Sequence, residues 1–593
     1  MISIHKIGFI FLLITAFAFS KEKKDSPELR ASRLTDHVRF LASDQLQGRL
    51  TGSAGDSLAA EYVRSVLIKE GLTPLFDKGY ERYRVTDKII YGPQNKLSVN
   101  DTSFKSESDF APFAFSQNNS FTGKVFFGGY GFEINEDSLK WNDYAGADVK
   151  GKVVLILRSD PEIEKTASHF IKYSRDRDKV LEAKDQGAAA VLLVSGRLFD
   201  PEDKFETLVK GEQSVGIPAF HITRKLADLI LKANNQTIEE LEKNLNQFRK
   251  PVSFNSGITL SGQSDLIQTT VPTRNVVMEI PGNDKILKDE YVILGAHFDH
   301  LGWGGPGSGS RVPDTVGVHH GADDNASGVA MVLELAKRLS ASRKMLKRSV
   351  LVISFSGEEE GLLGSRWFAD HALIDLRKVN AMVNLDMVGR LNENSLVQIS
   401  GVGTSDTLKK MIYSSCDTSV LKLSLASEGY GPSDHSSFYG KNIPVLFLTT
   451  GAHLDYHTPA DTWDKINYPG MVKVSDLSFN LVSDLANTAK LVFKEAGPKT
   501  GGGRGTRRKG ITLGIMPDYG GNIKNGLRAD FVTAGKPAAL GGMKKGDIIT
   551  FINGKPVNNI QDYMFRLNQL KRGETISVEV LRDNQKVVLV IQL

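Results

Sequence analysis

The chain has 593 residues, so we expect three or four domains, each large enough to bury its own core. The 74 lysines and arginines against 69 aspartates and glutamates leave a formal charge of only +5, which gives no basis for a nucleic-acid partner. Cys416 is the only cysteine, which excludes an intramolecular disulfide and a thiolate zinc site, so any metal must be held by histidines and carboxylates.

The N-terminus predicts a secretory signal peptide, residues 1–20. His5 and Lys6 precede an apolar run, 7–19, and small residues stand at the cleavage positions around Ala18. The run is short for a membrane span, so a retained anchor is the weaker alternative, and no other stretch approaches the roughly 18 apolar residues of a transmembrane helix. We therefore expect a secreted or periplasmic protein with no stable membrane span after signal cleavage.

Residues 28–117 are predicted to form the first part of a domain that continues after residue 260, with an amphipathic helix at Ala59 to Glu70. The sequence then changes to short β-rich pieces with glycine turns, among them the apolar runs Val149 to Leu157 and Gly187 to Val194. This order, over residues 118–260, resembles a protease-associated (PA) domain. In several peptidase families such a domain is inserted into the catalytic domain as a lid or substrate-guiding element.

The second part of the domain that begins at residue 28, residues 261–496, alternates strands and helices. A helix is predicted at Ala326 to Leu339, where apolar side chains recur at helical spacing. The apolar runs of strand length are Tyr291 to Ala296, Ser349 to Ser354, Ala381 to Leu385 and Ile443 to Leu448. This alternation favours an α/β sheet covered by helices on both faces. A glycine-rich linker, 497–510, follows the domain.

Histidines and carboxylates, the residue types that could bind a metal here, follow the strands of this predicted sheet. They are His297, Asp299, Asp323, Asp324, Glu358, Glu359, Glu360, Asp386 and His457, with Tyr456 beside the last. Groups beyond the carboxyl ends of parallel strands converge on one crevice. A single acidic run is more often part of the solvated surface. These residues, however, come from five separate segments that end at the same edge of the predicted sheet, which favours a shared site. A hydrolytic dinuclear site needs such a set: several carboxylates and imidazoles, one bridging carboxylate, and one free carboxylate to accept a proton.

Five motifs in this region resemble the signature segments of metallopeptidase family 28, the co-catalytic zinc aminopeptidases and their relatives. They are Gly295-Ala-His-Phe-Asp299, Gly321-Ala-Asp-Asp-Asn-Ala-Ser-Gly328, Ser356-Gly-Glu-Glu-Glu-Gly-Leu-Leu-Gly-Ser365, Asn384-Leu-Asp-Met387 and Tyr456-His-Thr-Pro-Ala-Asp-Thr462. The resemblance implies a mixed, mostly parallel sheet flanked by helices, and two Zn²⁺ per chain. Histidines and carboxylates also bind manganese or cobalt, so zinc is an expectation from the resemblance alone.

The resemblance also implies a role for each residue. The implied metal ligands are His297 and Asp386 for one ion, Glu359 and His457 for the other, and Asp324 as the bridge. Glu358 becomes the general base that accepts the proton of the bridging water. Asp299, two residues after His297, is placed to hold that imidazole by its other nitrogen. Family members often have a cis peptide after the bridging aspartate, which predicts a non-proline cis bond between Asp324 and Asn325.

Three further features receive weaker expectations. Tyr456 matches the tyrosine that in some relatives hydrogen-bonds the developing oxyanion, and a packing role is an equal alternative. His435, in Ser433-Asp-His-Ser-Ser-Phe438, resembles a residue of the family's substrate pocket, with a structural hydrogen bond as the alternative. The glycine-rich stretch 302–309 lacks the Gly-Lys-Ser/Thr ending of a phosphate loop and predicts a flexible rim loop.

The C-terminal residues, 511–593, resemble a PDZ domain of the bacterial protease-associated kind. The motifs that carry this resemblance are Ile511-Thr-Leu-Gly-Ile515, Gly535-Lys-Pro-Ala-Ala-Leu-Gly-Gly542, Lys545-Gly-Asp-Ile-Ile549 and Ile552-Asn-Gly-Lys-Pro556. The resemblance implies that a C-terminal peptide of a partner or substrate adds as a strand beside the Leu-Gly-Ile edge, with backbone amides receiving its carboxylate. A purely structural appendage is the alternative.

Together these features predict an exported dinuclear-zinc exopeptidase that removes N-terminal residues from a peptide or protein substrate. A carboxypeptidase or dipeptidase of the same family is the nearest alternative. A glutaminyl-cyclase-like acyltransferase is a weaker one, because those enzymes keep one zinc whereas the full ligand set predicts two. An inactive receptor-like binding protein is disfavoured, because Glu358 and every ligand position are intact.

Overall fold

The computed structural model describes residues 25–497, 511–517 and 525–593, apart from single residues at 101, 166, 211 and 534. The predicted signal peptide and most of the predicted linker lie outside the described residues. Within these ranges, no helix combines the length and apolar character needed to cross a bilayer. Three large sheets, each packed on its own apolar core, organise the chain.

The first of these, the catalytic sheet, has nine strands, and its four central strands run parallel to one another. Antiparallel pairs flank them on both sides. In order across the sheet the strands are Thr73–Pro74, Leu266–Ile280, Ser349–Phe355, Tyr291–His297, Val379–Leu385, Val445–Thr449, Leu396–Ser400 and Lys422–Leu425, with Tyr80–Tyr91 paired to Leu266–Ile280. This mixed sheet with a parallel centre confirms the predicted α/β fold class.

Helices cover both faces of the catalytic sheet because successive strand side chains point to opposite sides. In Tyr291–His297, Val292 and Leu294 join the apolar core on one face, and Ile293 joins the core on the other. The covering helices are Pro27–Leu41, Ala54–Lys69, Gly328–Ala341, Leu363–His371, Leu408–Ser415, His435–Tyr439 and Tyr468–Asn487. The helix predicted from Ala326 begins at Gly328, because a kinked turn occupies Ala322–Ser327.

The inserted domain is built on an eight-stranded sheet that also has four parallel central strands. In order these eight strands are Thr102–Ser103, Lys96–Val99, Ser253–Gln263, Ser120–Gly128, Val153–Leu157, Ala190–Val194, Ala219–Ile222 and Phe110–Pro112. The helices are Asp176–Asp185, Arg224–Leu231 and Ile238–Phe248, and a small hairpin joins Glu133–Asn135 to Lys140–Asn142. The sheet takes strands from Lys96 onward, upstream of the predicted start of the insertion at 118.

A two-stranded ribbon connects the insertion to the catalytic sheet. Tyr80–Tyr91 pairs antiparallel with Leu266–Ile280 from Tyr80 to Tyr91. At the outer end of the ribbon, the Gly92 backbone N–H donates to the Asp265 carbonyl over 2.9 Å. The chain therefore enters and leaves the insertion at neighbouring points.

The C-terminal domain is a six-stranded sheet with two helices. Its strands are Ile515–Pro517, Leu527–Val532, Ile548–Ile552, Thr575–Arg582 and Gln585–Gln592, with Lys555–Pro556 paired to Ile548–Ile552. The helices are Pro537–Leu540 and Ile560–Gln569. Asn559 caps the longer helix by accepting from the Asp562 N–H, and Tyr563 and Leu567 pack into the core of this domain.

Candidate metal centre

All five predicted ligands lie beyond the carboxyl ends of the parallel catalytic strands. His297 ends its strand, and Asp386 directly follows another. Glu359 and His457 lie in the loops after Ser349–Phe355 and Val445–Thr449, and Asp324 lies in the kinked turn before the helix Gly328–Ala341. The topology of the sheet therefore brings these distant segments to one edge, as the sequence predicts.

Asp324 lies between two imidazoles. Its Oδ1 is 3.4 Å from His297 Nε2, and its Oδ2 is 3.1 Å from His457 Nε2. His297 Nε2 is also 3.5 Å from Asp386 Oδ1, and His457 Nε2 is 3.1 Å from Glu359 Oε2. One carboxylate thus faces two separate ligand groups, which is the arrangement that a bridging ligand requires.

His300 belongs to the same centre, and sequence reasoning missed it. His300 Nδ1 lies 2.7 Å from Glu359 Oε1 and 3.9 Å from Asp324 Oδ2. In the described part of the chain, the groups able to hold a metal are His297 with Asp324 and Asp386, and His300 with Asp324 and Glu359. The sequence feature that could have identified His300 is its position directly after Asp299, at the end of the first motif.

Backbone carbonyls orient the imidazoles of His297 and His457. His457 Nδ1 lies 3.0 Å from the Gly309 oxygen, and His297 Nδ1 lies 3.3 Å from the Asp299 backbone oxygen. Donation from Nδ1 to these oxygens leaves each Nε2 lone pair facing the carboxylates. The Asp299 carboxylate, which the sequence suggests as the partner of His297, is 3.6 Å from Nδ1 and outside hydrogen-bond range.

The Asp299 carboxylate instead holds the loop that carries Glu358 and Glu359. Its Oδ1 accepts from the Glu358 N–H over 3.1 Å, and its Oδ2 accepts from the Glu359 N–H over 3.3 Å. The Thr51 hydroxyl donates to Oδ2 over 3.0 Å. Asp299 is therefore a positioning residue that fixes the direction of the two glutamates, and Thr51 holds it in turn.

The turn that carries Asp324 is fixed by Asp461, to which the sequence gives no role. Asp461 Oδ2 accepts from the backbone N–H groups of Asp323 and Asp324, over 2.8 and 3.1 Å. Gly321 has φ +55°, and a Cβ there would lie 2.1 Å from the Asp324 carbonyl oxygen, so only glycine fits. The Asp324–Asn325 peptide is cis, which confirms that prediction.

The glycine-rich stretch forms part of a rim loop, residues 302–317, beside the centre. It is irregular, and a single bridge between Gly304 and Val316 closes it. It carries the Gly309 carbonyl that orients His457. The predicted rim loop therefore contacts one of the predicted ligands.

The donor set fits a bound cation. His297 Nε2, His457 Nε2 and Asp386 Oδ1 are buried without a hydrogen-bond partner in the described structure. Burial acts to lower the pKa of His457, but the adjacent Asp324 and Glu359 carboxylates outweigh burial and raise that pKa to about 10. The clustered carboxylates thus favour positive charge between them. Imidazole and carboxylate donors without a thiolate suit zinc.

Glu358 points toward the same centre, with Oε2 3.9 Å from His297 Nε2. Burial raises the pKa of the Glu358 carboxyl well above its ordinary value; His297 opposes this shift, and the Glu359 carboxylate adds to it. A raised pKa makes a carboxylate a stronger proton acceptor, which is the direction that a general base requires.

Tyr456 and His435 have different surroundings. The Tyr456 ring stacks on the His457 ring at 3.8 Å between centroids, and burial holds the pKa of its hydroxyl well above the ordinary value, so the hydroxyl remains a donor. His435 is fully buried and stacks on Phe447 at 4.6 Å, and burial lowers its pKa to about 3. This environment favours a packing role for a neutral His435 over the predicted substrate contact.

A carboxylate shared between two imidazole-containing groups, at the carboxyl edge of an α/β sheet, is an arrangement that suits a metal-dependent hydrolase. Comparison with known families agrees with this class. Residues 275–482 match the model of peptidase family M28, residues 100–230 match the PA domain, and residues 517–593 match the PDZ domain. The chain thus carries a peptidase family M28 domain, a PA domain and a C-terminal PDZ domain, and it is a zinc metallopeptidase.

Individual proteins are similar to the chain over much of its length. Aminopeptidase YwaD of Bacillus subtilis is 24% identical over 475 residues, which are 77% of this chain and 84% of that protein. The uncharacterized protein YfbL of Escherichia coli is 28% identical over 285 residues, 43% of this chain and 83% of that protein. The solved structure of an aminopeptidase from Aneurinibacillus sp. strain AM-1 is 23% identical, with a TM-score of 0.45, and the match covers 79% of this chain and 96% of that one.

Proposed function

We propose that the protein is an exported aminopeptidase that uses two zinc ions to remove N-terminal residues from peptides or proteins. The observation that carries the proposal is the position of Asp324, whose two carboxylate oxygens face separate groups of ligands. A site for a single ion has no use for such a bridge. The alternative acyltransferase with one zinc is therefore less well supported than a dinuclear hydrolase.

Each ion has its own ligands in this proposal. His297 and Asp386 would hold one ion and Glu359 and His457 the other, and Asp324 would be shared between the two. His300 orients Glu359 through their 2.7 Å contact. Zinc, when bound there, supplies Lewis-acid chemistry: it polarises a carbonyl and lowers the pKa of water.

The chain's own residues handle the proton and the developing charge. The Glu358 carboxylate accepts a proton from the attacking water and returns it to the leaving amine. Asp299 keeps that carboxylate in place, because it accepts the Glu358 N–H over 3.1 Å. The protonated Tyr456 hydroxyl is available to donate to the oxyanion.

The direction of cleavage and the cellular location rest on sequence. The similarity to aminopeptidase YwaD supports removal of N-terminal residues. The N-terminal pattern of residues 1–20 supports export to the periplasm or the medium. The PDZ domain supports a further contact with the C-terminal peptide of a partner or substrate.

The test uses aminoacyl 4-nitroanilides with free and with N-acetylated amines, assayed with zinc-loaded and metal-stripped protein. We expect cleavage of the free-amine substrates only, and only with metal. Glu358→Gln is expected to lower kcat by about 10²- to 10⁴-fold, the usual contribution of a general base, while the bound zinc per chain stays at the wild-type value. Zinc content is measured by elemental analysis of the same samples.

The matched control is Glu393→Gln, which changes an exposed glutamate of the same domain and is expected to behave as wild type. Equal cleavage of N-acetylated substrates would rule out an aminopeptidase. A Glu358→Gln protein with nearly full activity would remove the general base from the mechanism. Loss of zinc from that variant would make Glu358 a ligand instead.

A further inference from the structure

The longer helix of the PDZ domain packs against the PA domain through buried ion pairs. Asp562 Oδ1 lies 3.1 Å from Arg177 Nη2, and Arg566 Nη2 donates to Asp185 Oδ1 over 2.9 Å. At most 4% of each of these four side chains is exposed. Phe565 of the same helix joins an apolar cluster of the PA domain. Because breaking a buried pair leaves a charge without a partner, these contacts hold the two domains in one arrangement.

Arg177 also holds a neighbouring irregular stretch of the PA domain, residues 205–210 and 212–214, which we call the covering segment. Arg177 Nη2 lies 3.4 Å from the Gln213 backbone oxygen. The PDZ domain touches the covering segment directly as well, because Asn559 Nδ2 donates to the Ser214 backbone oxygen over 3.0 Å. Arg177 therefore connects the PDZ helix to the covering segment.

The other half of the covering segment contacts the rim of the active site. Lys210 forms an ion pair with Glu360, the neighbour of a predicted metal ligand. Val209 lies against the rim loop, since a Cβ on Gly307 would be 3.3 Å from Val209 Cγ1. The same rim loop provides the carbonyl that orients the His457 imidazole. A continuous chain of contacts thus runs from the PDZ helix to the edge of the metal centre.

We propose that the PDZ domain braces the active-site rim through Arg177 and the covering segment, and that the braced segment forms a binding subsite for extended peptides. This inference rests on the proposed peptidase function. An unbraced irregular segment would have to be ordered each time a peptide bound along it, and that entropy cost weakens affinity. The contacts with the PDZ domain already order the covering segment before a peptide binds, so this entropy cost is not incurred on binding. The effect falls on KM for long substrates, because the covering segment contacts the rim and not the general base.

Two substitutions break the contacts between the PDZ helix and the PA domain at different ion pairs. Arg177→Met keeps a long side chain but removes the polar contacts to the PDZ helix and the covering segment. Asp185→Asn acts at a distance from the covering segment, because the described partners of Asp185 are Arg566 and Lys555 of the PDZ domain. The matched control is Arg175→Met, which changes an exposed arginine at the start of the same PA helix.

The test uses the full-length, zinc-loaded protein and two readouts. Hydrogen exchange in the covering segment is expected to become about tenfold faster or more in both variants. KM for a pentapeptide amide is expected to rise about fivefold or more, in the usual range of coupling between sites. kcat and KM for an aminoacyl 4-nitroanilide, which offers no extended peptide to the covering segment, are expected to stay within about twofold of wild type. Arg175→Met is expected to match wild type in every measurement.

Unchanged exchange of the covering segment in Asp185→Asn would overturn the brace, and so would an equal rise of KM for both substrate lengths. If Arg177→Met fails to fold, which a thermal melt would show, Asp185→Asn decides alone. If wild-type protein cleaves neither substrate, the proposed peptidase function fails. The exchange measurement still decides in that case whether the PDZ domain holds the covering segment.

Discussion

The catalytic sheet and the PA sheet share a parallel four-stranded centre, yet they use the carboxyl ends of their strands differently. In the catalytic sheet, the carboxylates at this edge lie within 4.0 Å of imidazole nitrogens: Asp324, Glu358 and Asp386 near His297, and Glu359 near His300 and His457. These donors also suit a metal ion, and both candidate metal groups of the described residues lie there.

In the PA sheet, the protein's own basic side chains occupy the corresponding edge. The buried Lys179 amine donates to the carbonyls of Leu157 and Ser159, beyond the end of the strand Val153–Leu157, with 2.8 Å to the first. Arg158 pairs with Asp176 over 2.7 Å and also with Glu206. Sheet topology thus gathers polar groups at a strand edge in either domain. The identity of the positive partner, a side chain or an ion, then decides whether that edge becomes a metal centre.

The largest expected effect comes from removing the shared carboxylate of the catalytic edge. Asp324→Asn is expected to reduce zinc binding at both positions and to lower kcat/KM by about 10³-fold or more. The reason is that metal-derived stabilisation of the transition state amounts to several kcal/mol, and each 1.36 kcal/mol is worth a factor of ten. Elemental analysis and kinetics on the same preparation measure both quantities.

The matched substitution in the PA domain is Asp176→Asn, which removes a strand-edge carboxylate that pairs with Arg158. It is expected to leave zinc content and anilide hydrolysis unchanged. Loss of zinc from Asp176→Asn, or retention of both ions by Asp324→Asn, would contradict the assignment of metal binding to the edge of the catalytic sheet alone.

A smaller effect is expected from His300, the member of the centre that the sequence analysis missed. His300→Gln removes the imidazole that contacts Glu359, and substitutions of residues that orient metal ligands usually weaken metal binding about 10- to 100-fold. Competition with a chelator measures the zinc dissociation constant. His221→Gln is the PA counterpart, because His221 is buried and contacts the Ser195 hydroxyl at 3.1 Å. Equal zinc affinities for the two variants would remove His300 from the centre.

The smallest effect on zinc binding and hydrolysis is expected at the PA edge, where a substitution changes the pH dependence of stability. Burial lowers the pKa of Lys179 to about 7, whereas an unfolded lysine titrates near about 10.4. Between these pH values the unfolded chain binds the additional proton, so the stability of the PA domain rises with pH by up to about 1.4 kcal/mol per unit. Below pH 7 this gain is absent.

Hydrogen exchange of the strands Val153–Leu157 and Ala190–Val194, between pH 7.5 and 9 and corrected for intrinsic exchange rates, measures this slope. Lys179→Met should flatten it, and Lys243→Met, which changes an exposed lysine of the same domain, should preserve it. Parallel slopes for wild type and Lys179→Met would contradict the assignment.

The fold class and the convergence of the ligands could be predicted because they depend on local patterns. Each apolar run of strand length is followed by metal-binding side chains, and parallel strands bring those ends together. The contacts of Thr51 and Asp461 could not be predicted in this way, because tertiary packing brings Thr51 to a carboxylate 248 positions away. The pairing of Arg177 with Asp562 spans 385 positions and depends on how two domains dock, for which no periodicity gives a signal.

The two-stranded ribbon that carries the PA domain allows the catalytic sheet and the PA domain to fold independently of each other. Gly92 and Asp265 are hydrogen-bonded neighbours. The whole insertion therefore replaces the turn of a hairpin in the catalytic sheet, whatever the length of the insertion. A longer insertion adds closure entropy only logarithmically. The catalytic sheet can therefore accept a different guest domain at this point, or a short turn in its place, without a change in strand register.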